Sequence, residues 1–572
     1  MLAICYAVEQ KYERNAEIIA LSMGPPQARD ALIYALSLGA DRAIHLTDHN
    51  MAGSDTLATA RTLAMYLKSG NFDLILCGRN SSDSETGQVG PEIAELLKVP
   101  HISRVSKIEY EAGFDFIAAR RETEEGFEII RTALPALVTV TEGISTERYP
   151  SKEDIEAVRN HAIEEVNAPT LSLDTTLFGI KGSPTRVENI RTVESKRLGI
   201  LFQDENPLVV AQELAEFLQE NISKPTSAET FNWNRYQGAN HKAIWVVAES
   251  FHLGPRRVTL ELLGVARQLA ETTTGEVAVI LLGKGSNLDI ETLGAYGADR
   301  VYLLDNETLG HPISPAVTAF LSSVIVGKQP YAILFPSDSN GRDIASRIAA
   351  RLGLGLTGDC VGLEINDAGE LVHLKPAFGG NVMAPIISKT RPYMSTLLPG
   401  VLNPISPCWD TTTATELIKP PPVYADKHTL EILEVHKQID AKGFELDSAQ
   451  IVLGIGMGIG GPDNMPMIVR LADSIGASIS ATRNVTDSGW LPRQVQVGLS
   501  GKAIAPKIYL ALGIRGAFNH MVGIQRAGTI IAINENQRAP IFKNTDYGII
   551  GDWQEYLPPL IEAMKPILRN II

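Results

Sequence analysis

The sequence predicts an α/β protein of two related doubly wound parallel-sheet domains followed by a third domain opening on a glycine turn. Three observations carry this. One block recurs, as EIIALSMGPPQARDALIYALSLGADRAIHLTD at 17–48 and EVAVILLGKGSNLDIETLGAYGADRVYLLD at 276–305. Short β-branched-rich runs alternate with amphipathic helix-length segments, the pattern of a parallel sheet covered on both faces. Near the C-terminus, AQIVLGIGMGIGGPDNMPMIVRLADSIG (449–476) reads as strand, glycine turn, helix.

The repeat holds element by element. GADR begins at Gly39 and again at Gly297, and the strand at Asp73–Leu76 matches Tyr331–Leu334 at the same separation. Each is followed by a polar loop and a helix, GPEIAELL at 90–97 and ASRIAARLG at 345–353. Further on, Pro135 and Gly143 match Pro392 and Gly400. A separation held across several elements is not chance, and two copies are too few for a solenoid. Between them, 148–240 is polar and irregular, with KGSPTRVENIRTVESKRL at 181–198, and reads as an arm or linker. KPPPV at 419–423 closes the second copy. The expected boundaries are 1–175, 176–240 for arm and linker, 241–430, and 431–572.

Composition bounds the function. The 572 residues carry a net charge of −15, with 44% hydrophobic and 20% charged residues, so the chain folds and has ample core. An acidic balance argues against nucleic acid, whose binding draws on clustered Lys and Arg. Cys5, Cys77, Cys360 and Cys408 lie far apart with no CxxC, which disfavours an iron–sulfur cluster, a zinc ribbon or a disulfide framework. The longest apolar run, around 451–461, is short and Gly-rich, and no leader pattern is visible, so a cytoplasmic protein is expected.

In doubly wound sheets, ligands sit beyond the carboxyl ends of strands, which puts the loops after Leu76 and Leu334 in view. SSDSETGQVGPEIAELL (81–97) suits a phosphate cradle and equally a capped helix start. It lacks the Lys-Ser/Thr ending of a P-loop. Gly456, Gly458 and Gly461 satisfy G-x-G-x-x-G, but the next strand (477–484) leads into Thr482 and Arg483 rather than a carboxylate. An ordinary NAD site is therefore disfavoured, and the turn is as consistent with packing as with phosphate. Three polar loops follow, at Thr482-Arg483, Gln496–Lys502 and Gly513–His520. Taken singly, His520 reads as a surface or core histidine and Arg483 as a solvated cation. No HExxH, GxSxG or clustered His/Cys set appears, so neither a metal site nor a catalytic residue is assigned.

Taken together, these stretches resemble an electron transfer flavoprotein in which the β subunit precedes the α subunit in one polypeptide. LSMGPPQARDALIYALSLGADRA (21–43), DLILCGRNSSDSETGQVGPEIAELL (73–97) and LPALVTVTEG (134–143) resemble the β subunit, and GIKGSPTRV (179–187) resembles its arm. KAIWVVAE (242–249), LELLGVARQLA (260–270), SNGRDIASRIAARLGLGLTGDCVGLE (339–364), KPAFGGNVMAPI (375–386) and RPYMSTLLPGVL (391–402) resemble the α subunit, and 449–553 its FAD-binding domain. The resemblance implies two adenine nucleotide α-hydrolase-like domains plus a C-terminal Rossmann-like FAD-binding domain.

It also implies a site. FAD contacts fall on Thr482, Arg483, Val497, Gly498, Leu499, Ser500, Arg515, Gly516, Ala517, Phe518, Asn519, His520, Asn534, Asp552 and Trp553. Arg483, Ser500 and His520 would tune the flavin: Arg483 beside the ring favouring one-electron traffic, Ser500 near N5, and His520 near N1 and O2. Arg515 stands where the family usually has Ser and adds a cation; Met457 stands where it usually has Arg. A second nucleotide, AMP or a second FAD, would meet Met23, Asp83, Ser84, Glu85, Thr86, Gly87, Gln88, Val89, Gly90, Pro91, Glu92, Ile93 and Ala94. The family's first β-subunit strand has no match before LAICYAVEQKYER, so the first sheet is expected to lack an edge. The implied partners are a flavin dehydrogenase, of acyl-CoA type among others, and an acceptor such as a quinone oxidoreductase. The arm at 176–198 would dock them, while 199–240 and a hinge near 419–448 let the FAD domain swing. Two other readings stand beside this one: an NADH-dependent bifurcating enzyme with two FAD, and a nucleotide-binding sensor or scaffold without redox activity.

Overall fold

The computed structural model describes residues 1–81, 84–124, 126–192, 197–222, 233–236, 240–249, 255–282, 287–304, 315–377, 382–409, 411–419, 430–437, 446, 449–498 and 501–568. The first half runs α1 (Leu2–Arg14), β1 (Ile19–Met23), α2 (Arg29–Leu38), β2 (Arg42–Leu46), α3 (Thr56–Leu67), β3 (Leu74–Gly78), α4 (Val89–Leu97) and β4 (His101–Tyr110). It continues through β5 (Phe116–Glu122), β6 (Gly126–Ala133), β7 (Ala136–Val140), α5 (Lys152–Val158) and β8 (Glu164–Val166). An arm carries α6 (Ala168–Leu171), α7 (Gly179–Gly182), β9 (Thr185–Val187) and β10 (Arg191–Thr192), followed by β11 (Ile200–Gln203) and α8 (Pro207–Ile222).

The second half repeats the first half's succession with one strand more at its start. It runs β12 (Ile244–Glu249), α9 (Arg257–Thr273), β13 (Val277–Leu282), α10 (Asn287–Ala295), β14 (Arg300–Leu304), α11 (Pro315–Lys328), β15 (Ala332–Pro336) and α12 (Ser339–Leu352). Then come β16 (Leu356–Cys360), β17 (Gly362–Ile365), β18 (Leu371–Ala377), β19 (Val382–Ser388), β20 (Tyr393–Leu397) and β21 (Ala414–Ile418). Its main sheet is ordered β16-β20-β15-β12-β13-β14-β21. β12 lies at the centre, parallel to both β13 and β15. In the first half the matching strands form separate sheets: β1-β2-β8, and β6-β5-β4-β7-β3 extended by β22 (Glu431–Lys437) at the β6 edge. The expectation of a lost edge is thereby corrected. The position without a strand corresponds to β12, the middle of the sheet.

GADR recurs because each residue has a local task. Gly39 and Gly297 end their helices at φ 118° and 106°, a conformation glycine adopts without a Cβ clash. Asp41 then accepts the Ile18 N–H at 2.8 Å and pairs with Lys11 at 2.5 Å. Asp299 likewise accepts the Val277 N–H at 2.9 Å and pairs with Arg267 at 2.6 Å. Each Asp clasps the start of one strand to the preceding helix.

The third region joins β23 (Ile451–Ile455), α13 (Met465–Ser474), β24 (Ser478–Ala481), α14 (Arg483–Asp487), β25 (Ile508–Leu512), α15 (Phe518–Ile524), β26 (Thr529–Asn534), β27 (Tyr547–Ile550) and α16 (Trp553–Leu568). Its sheet is parallel, ordered β11-β27-β26-β25-β23-β24. Residues 200–222, read from sequence as linker, are thus an edge strand and a helix of this region, with α8 packed on α16. The arm is equally committed: β9 and β10 both pair with β19 of the second half.

The two halves meet through α4 and α12. Buried His101 and Asp343 lie 2.5 Å apart, and Glu95 receives Arg347 at 3.3 Å and Arg351 at 2.6 Å. Fully buried Arg121 donates to Glu128 at 2.9 Å and to Asn340 across the interface at 2.7 Å. No described helix is long and apolar enough to cross a membrane.

Candidate functional site

Strand order locates the third region's site. From β23 the chain moves to one side for β24, then to the other for β25, β26 and β27. Such a reversal leaves a crevice at the carboxyl ends of the strands on either side of it. Ile455, Ala481, Leu512, Asn534 and Ile550 end these strands, so the segments after them share one ledge. That ledge gathers Thr482 and Arg483, Arg515 to His520, Asn534, and Asp552 with Trp553. The 496–498 loop joins it through the Val497 N–H bond to Ala481 O at 2.9 Å. Leu499 and Ser500 lie outside the described residues.

The glycine turn takes its structural reading. Gly458 N–H donates to Gly513 O at 3.0 Å, and a Cβ on Gly456 would lie 2.3 Å from that same oxygen. The glycines let two backbone turns touch, and the Gly458 donor is already used. Met457 beside them is 43% exposed.

The sequence candidates divide by burial. Arg515, Ala517, Phe518 and Asn519 are exposed, on a loop running into the first turn of α15, where the Phe518 and Asn519 N–H groups have no intrahelical acceptor while His520 N–H donates to Ala517 O at 2.9 Å. Asn534 braces that loop by donating to Ile514 O at 2.9 Å. Arg483 is half-exposed and shares Asp487 with Arg493, at 3.2 and 3.3 Å. Val497 and Trp553 are core side chains, and Asp552 caps α16 by accepting the Gln554 N–H at 2.9 Å. His520 is buried, with Nδ1 3.0 Å from Val497 O and Nε2 3.2 Å from the Tyr509 hydroxyl. Burial pushes its pKa down to about 4, so the ring is neutral at physiological pH. With the Nδ1 proton donated to Val497 O, Nε2 is the acceptor for Tyr509. The exposed loop, free first-turn N–H groups and neighbouring guanidinium fit the diphosphate and ring of a flavin nucleotide.

The first half's candidates divide by burial in the same way. Met23 ends β1 and is partly exposed, as are Ser84 to Gly87 and Val89, while Asp83 lies outside the described residues. Gly90, Pro91, Glu92, Ile93 and Ala94 are interior faces of α4. Two polar atoms there have no partner: Gln88 Nε2 and Glu92 Oε2, both on buried side chains. The Thr56 hydroxyl lies 2.8 Å from Gln88 Oε1 and 3.1 Å from Glu92 Oε1. Burial raises the Glu92 pKa well above the carboxylate range, with Asp55 adding to the shift. An unpartnered carboxyl oxygen and an orphan amide suit a ligand rich in donors and acceptors.

Sequence reasoning missed a cavity of about 510 Å³ where all three regions meet. Nine cationic side chains and six carboxylates line it, a surplus that favours an anionic occupant. The first half supplies Arg79, Arg104 and Glu124, the second Arg256, Arg342 and Asp359, and the third Arg493, Lys502 and Arg526. Burial lowers Arg79 and Arg526 to about 10. Burial alone would raise Glu124, but Arg104 and Arg256 hold it ionised far below the usual range. It accepts from Arg104 at 2.7 Å and from the Ser339 hydroxyl at 2.7 Å, tying the halves together at the cavity wall. Arg79 and Arg342 follow the matched strands β3 and β15, the one signal by which they were findable. Gln496 and Gly498 line the cavity too and connect it to the ledge. Among the described residues, no three His, Cys, Asp or Glu are grouped to hold a metal.

Comparison with known proteins gives the family of these regions. The profile of the electron transfer flavoprotein domain matches residues 2–171 and again 244–434, and that of the electron transfer flavoprotein FAD-binding domain matches 445–525. The chain is 40% identical to the electron transfer flavoprotein subunit alpha of Thermoanaerobacterium thermosaccharolyticum over 331 residues, 57% of this chain and 99% of that protein. It is 36% identical to the protein FixB of Clostridium saccharobutylicum, over 58% of this chain and 98% of that one. A third relative is the lactate dehydrogenase (NAD(+),ferredoxin) subunit LctC of Acetobacterium woodii, 36% identical over 54% of this chain and 73% of its own length.

Proposed function

The chain belongs to the electron transfer flavoprotein family, and we propose that it is a fused member, with a β-subunit-like half preceding an α-subunit-like half. It takes electrons from a partner dehydrogenase in the cytoplasm, holds them on one FAD in the third region, and passes them to an acceptor such as a quinone oxidoreductase. The bound FAD supplies the redox chemistry. The chain's own residues bind and tune it. Arg515 and the opening N–H groups of α15 hold the diphosphate. Asn534 fixes the loop that carries them. Arg483 sets a cation beside the flavin ring, and neutral His520 keeps the 497 loop seated on Tyr509. The observation that carries this reading is the ledge, where the loops from every strand end after β23 lie at one end of the sheet and the neighbouring 496–498 loop also lines a cationic cavity.

A second reading, an NADH-dependent bifurcating protein with another FAD in the first half, is favoured by the likeness to LctC, named as a subunit of a lactate dehydrogenase (NAD(+),ferredoxin). The unpartnered polar groups of Gln88 and Glu92 suit either AMP or FAD there. Releasing and counting the nucleotides of the purified chain separates these readings. One FAD with AMP per chain supports the first, and two FAD support the second. A preparation that neither holds nor takes up flavin overturns both.

A further inference from the structure

The cavity where the three regions meet closes four ion pairs within its own wall. Arg104 meets Glu124 at 2.7 Å, Arg120 meets Glu122 at 2.9 Å, Arg256 meets Asp338 at 2.7 Å, and Arg342 meets Asp359 at 3.0 Å. Three further cations reach the same space: Arg79 from the first half, Lys375 from the second and Arg526 from the third region. Among the described residues none of these three forms an ion pair. Lys375 is 6% exposed and uses one of its N–H groups on Gly358 O at 2.9 Å. Arg526 feels one carboxylate, Asp359, which Arg342 already holds. Its loop is fixed, since Arg197 donates to Gln525 O and Ala527 O, both at 2.8 Å. The lining carboxylates outside the four pairs are Glu85 and Glu142, both of the first half.

The wall is shaped to present charge. Arg104 and Asp359 stand at matched positions of the repeat, at the separation that also relates Gly90 to Ala345. Each sits at a bulge: β4 shifts its register on β7 between Ile102 and Val105, and β16 shifts on β20 between Thr357 and Cys360. Both residues hold left-handed backbone, at φ 55° and 57°. Each N–H donates to the matched threonine hydroxyl, Thr139 at 3.2 Å and Thr396 at 2.9 Å. Left-handed backbone is costly for a residue with a Cβ, and a bulge re-aims a side chain out of the strand's alternation. The same device in both halves brings a charged side chain to the cavity, a cation from one half and an anion from the other.

Cations drawn out of water without carboxylates of their own call for a bound anion. Their arrival from three regions calls for acceptors in several directions, which a tetrahedral oxyanion has and a planar carboxylate lacks. Guanidinium forks also match phosphate oxygens two at a time. We propose that the cavity binds an oxyanion of the phosphate class through Arg79, Lys375 and Arg526, and that this anion seats the third region on the two halves. Glu85 stands among Lys375, Asp359, Arg79 and Arg342 and competes with the anion for the cations. None of the three binding cations belongs to the ledge, so the site does not depend on the flavin reading. A volume of about 510 Å³ admits a free diphosphate or the phosphate end of a nucleotide.

The probe is inorganic diphosphate, titrated into the intact chain at fixed ionic strength by calorimetry, with amide exchange followed in parallel. It saturates one site and slows exchange in all three regions together, at residues 79–80, 357–360 and 525–528, by at least about 10-fold. Arg79→Gln and Arg526→Gln each weaken binding at least about 10-fold, the loss of a charge-assisted contact. Glu85→Gln tightens it about 3-fold, a gain that a merely structural change would not give. The pattern of protection in the unaltered chain holds the test even where an arginine variant does not fold. AMP, titrated in the same way, tells the source. Protection of the same residues by AMP marks a nucleotide's phosphate, its absence a free anion, and the site stands in either case. No saturable binding of either probe by millimolar concentration overturns the proposal. So does protection confined to one region or to residues 513–520, an affinity that both arginine variants leave unchanged, or a Glu85→Gln chain that binds no tighter.

Discussion

The first and second halves are one architecture built twice, and the central strand is where they part. With β12 in place, the second half carries its sheet as a continuous, wholly buried layer. With no counterpart among the described residues, the first half keeps the same succession of helices and the same Asp clasp, yet its strands form two sheets. The clasps differ accordingly. Arg267 is fully buried against Asp299, whereas Lys11 and Asp41 are each about a third exposed, at 29% and 32%. Helices and local clasps suffice to set strands in position. Completing the layer between them is a separate event, and it is what makes a strand interior.

Four measurements can break or sharpen this contrast, here from the largest effect to the smallest. Trp245→Ala removes the largest fully buried side chain among the described residues, from the second position of β12, and costs about 4 kcal/mol in urea unfolding. A loss under about 1 kcal/mol would mean that β12 does not hold the second half together. Asp299→Ala strands a buried guanidinium and costs about 3 kcal/mol, whereas Asp41→Ala, at a solvated clasp, costs about 1 kcal/mol. Equal losses would erase the difference between the clasps. Amides of β13 and β15 exchange at least about 100-fold more slowly than those of β1 and β3.

Acid gives the smallest readout at mild pH. Burial lowers His373, in the second half, and His520, in the third region, to about 4. The unfolded chain protonates these rings near pH 6.5, the folded chain only near 4, so stability falls as pH drops through that window. The fall is a little under about 1 kcal/mol per ring at pH 6, counted from alkaline pH, and grows toward pH 4. His373→Gln flattens the pH dependence of the urea midpoint in that range; an unchanged slope would show that the ring is not held neutral.

What the sequence disclosed follows the range of the interactions. The repeat was legible because the Gly of GADR ends a helix and its Asp clasps a strand start a few tens of residues away. The ledge was legible because strand ends and the loops after them are contiguous in sequence. The split sheet was misread as a missing edge, since strand order is fixed by pairing between distant segments rather than by chain order. Residues 200–222 were read as linker because Ile200 and Leu201 are exposed on a sheet edge and carry no alternation of burial. Arg79 and Arg526 are solitary cations in sequence and Arg256 stands only beside Arg257, and only the meeting of three regions makes them one cavity wall. His520 was singled out in sequence as a ring-facing histidine, but its burial depends on Tyr509 and Val497, which lie 11 and 23 residues away.

The central claim is that the ledge of the third region holds the flavin. Stripping the chain of nucleotide and titrating it with FAD, with amide exchange followed at each step, tests this most directly. At one equivalent, the account predicts protection of residues 513–520 and of Thr482 to Val485. Saturation at one equivalent with protection confined to residues 84–94, or binding that leaves 513–520 unchanged, would contradict it.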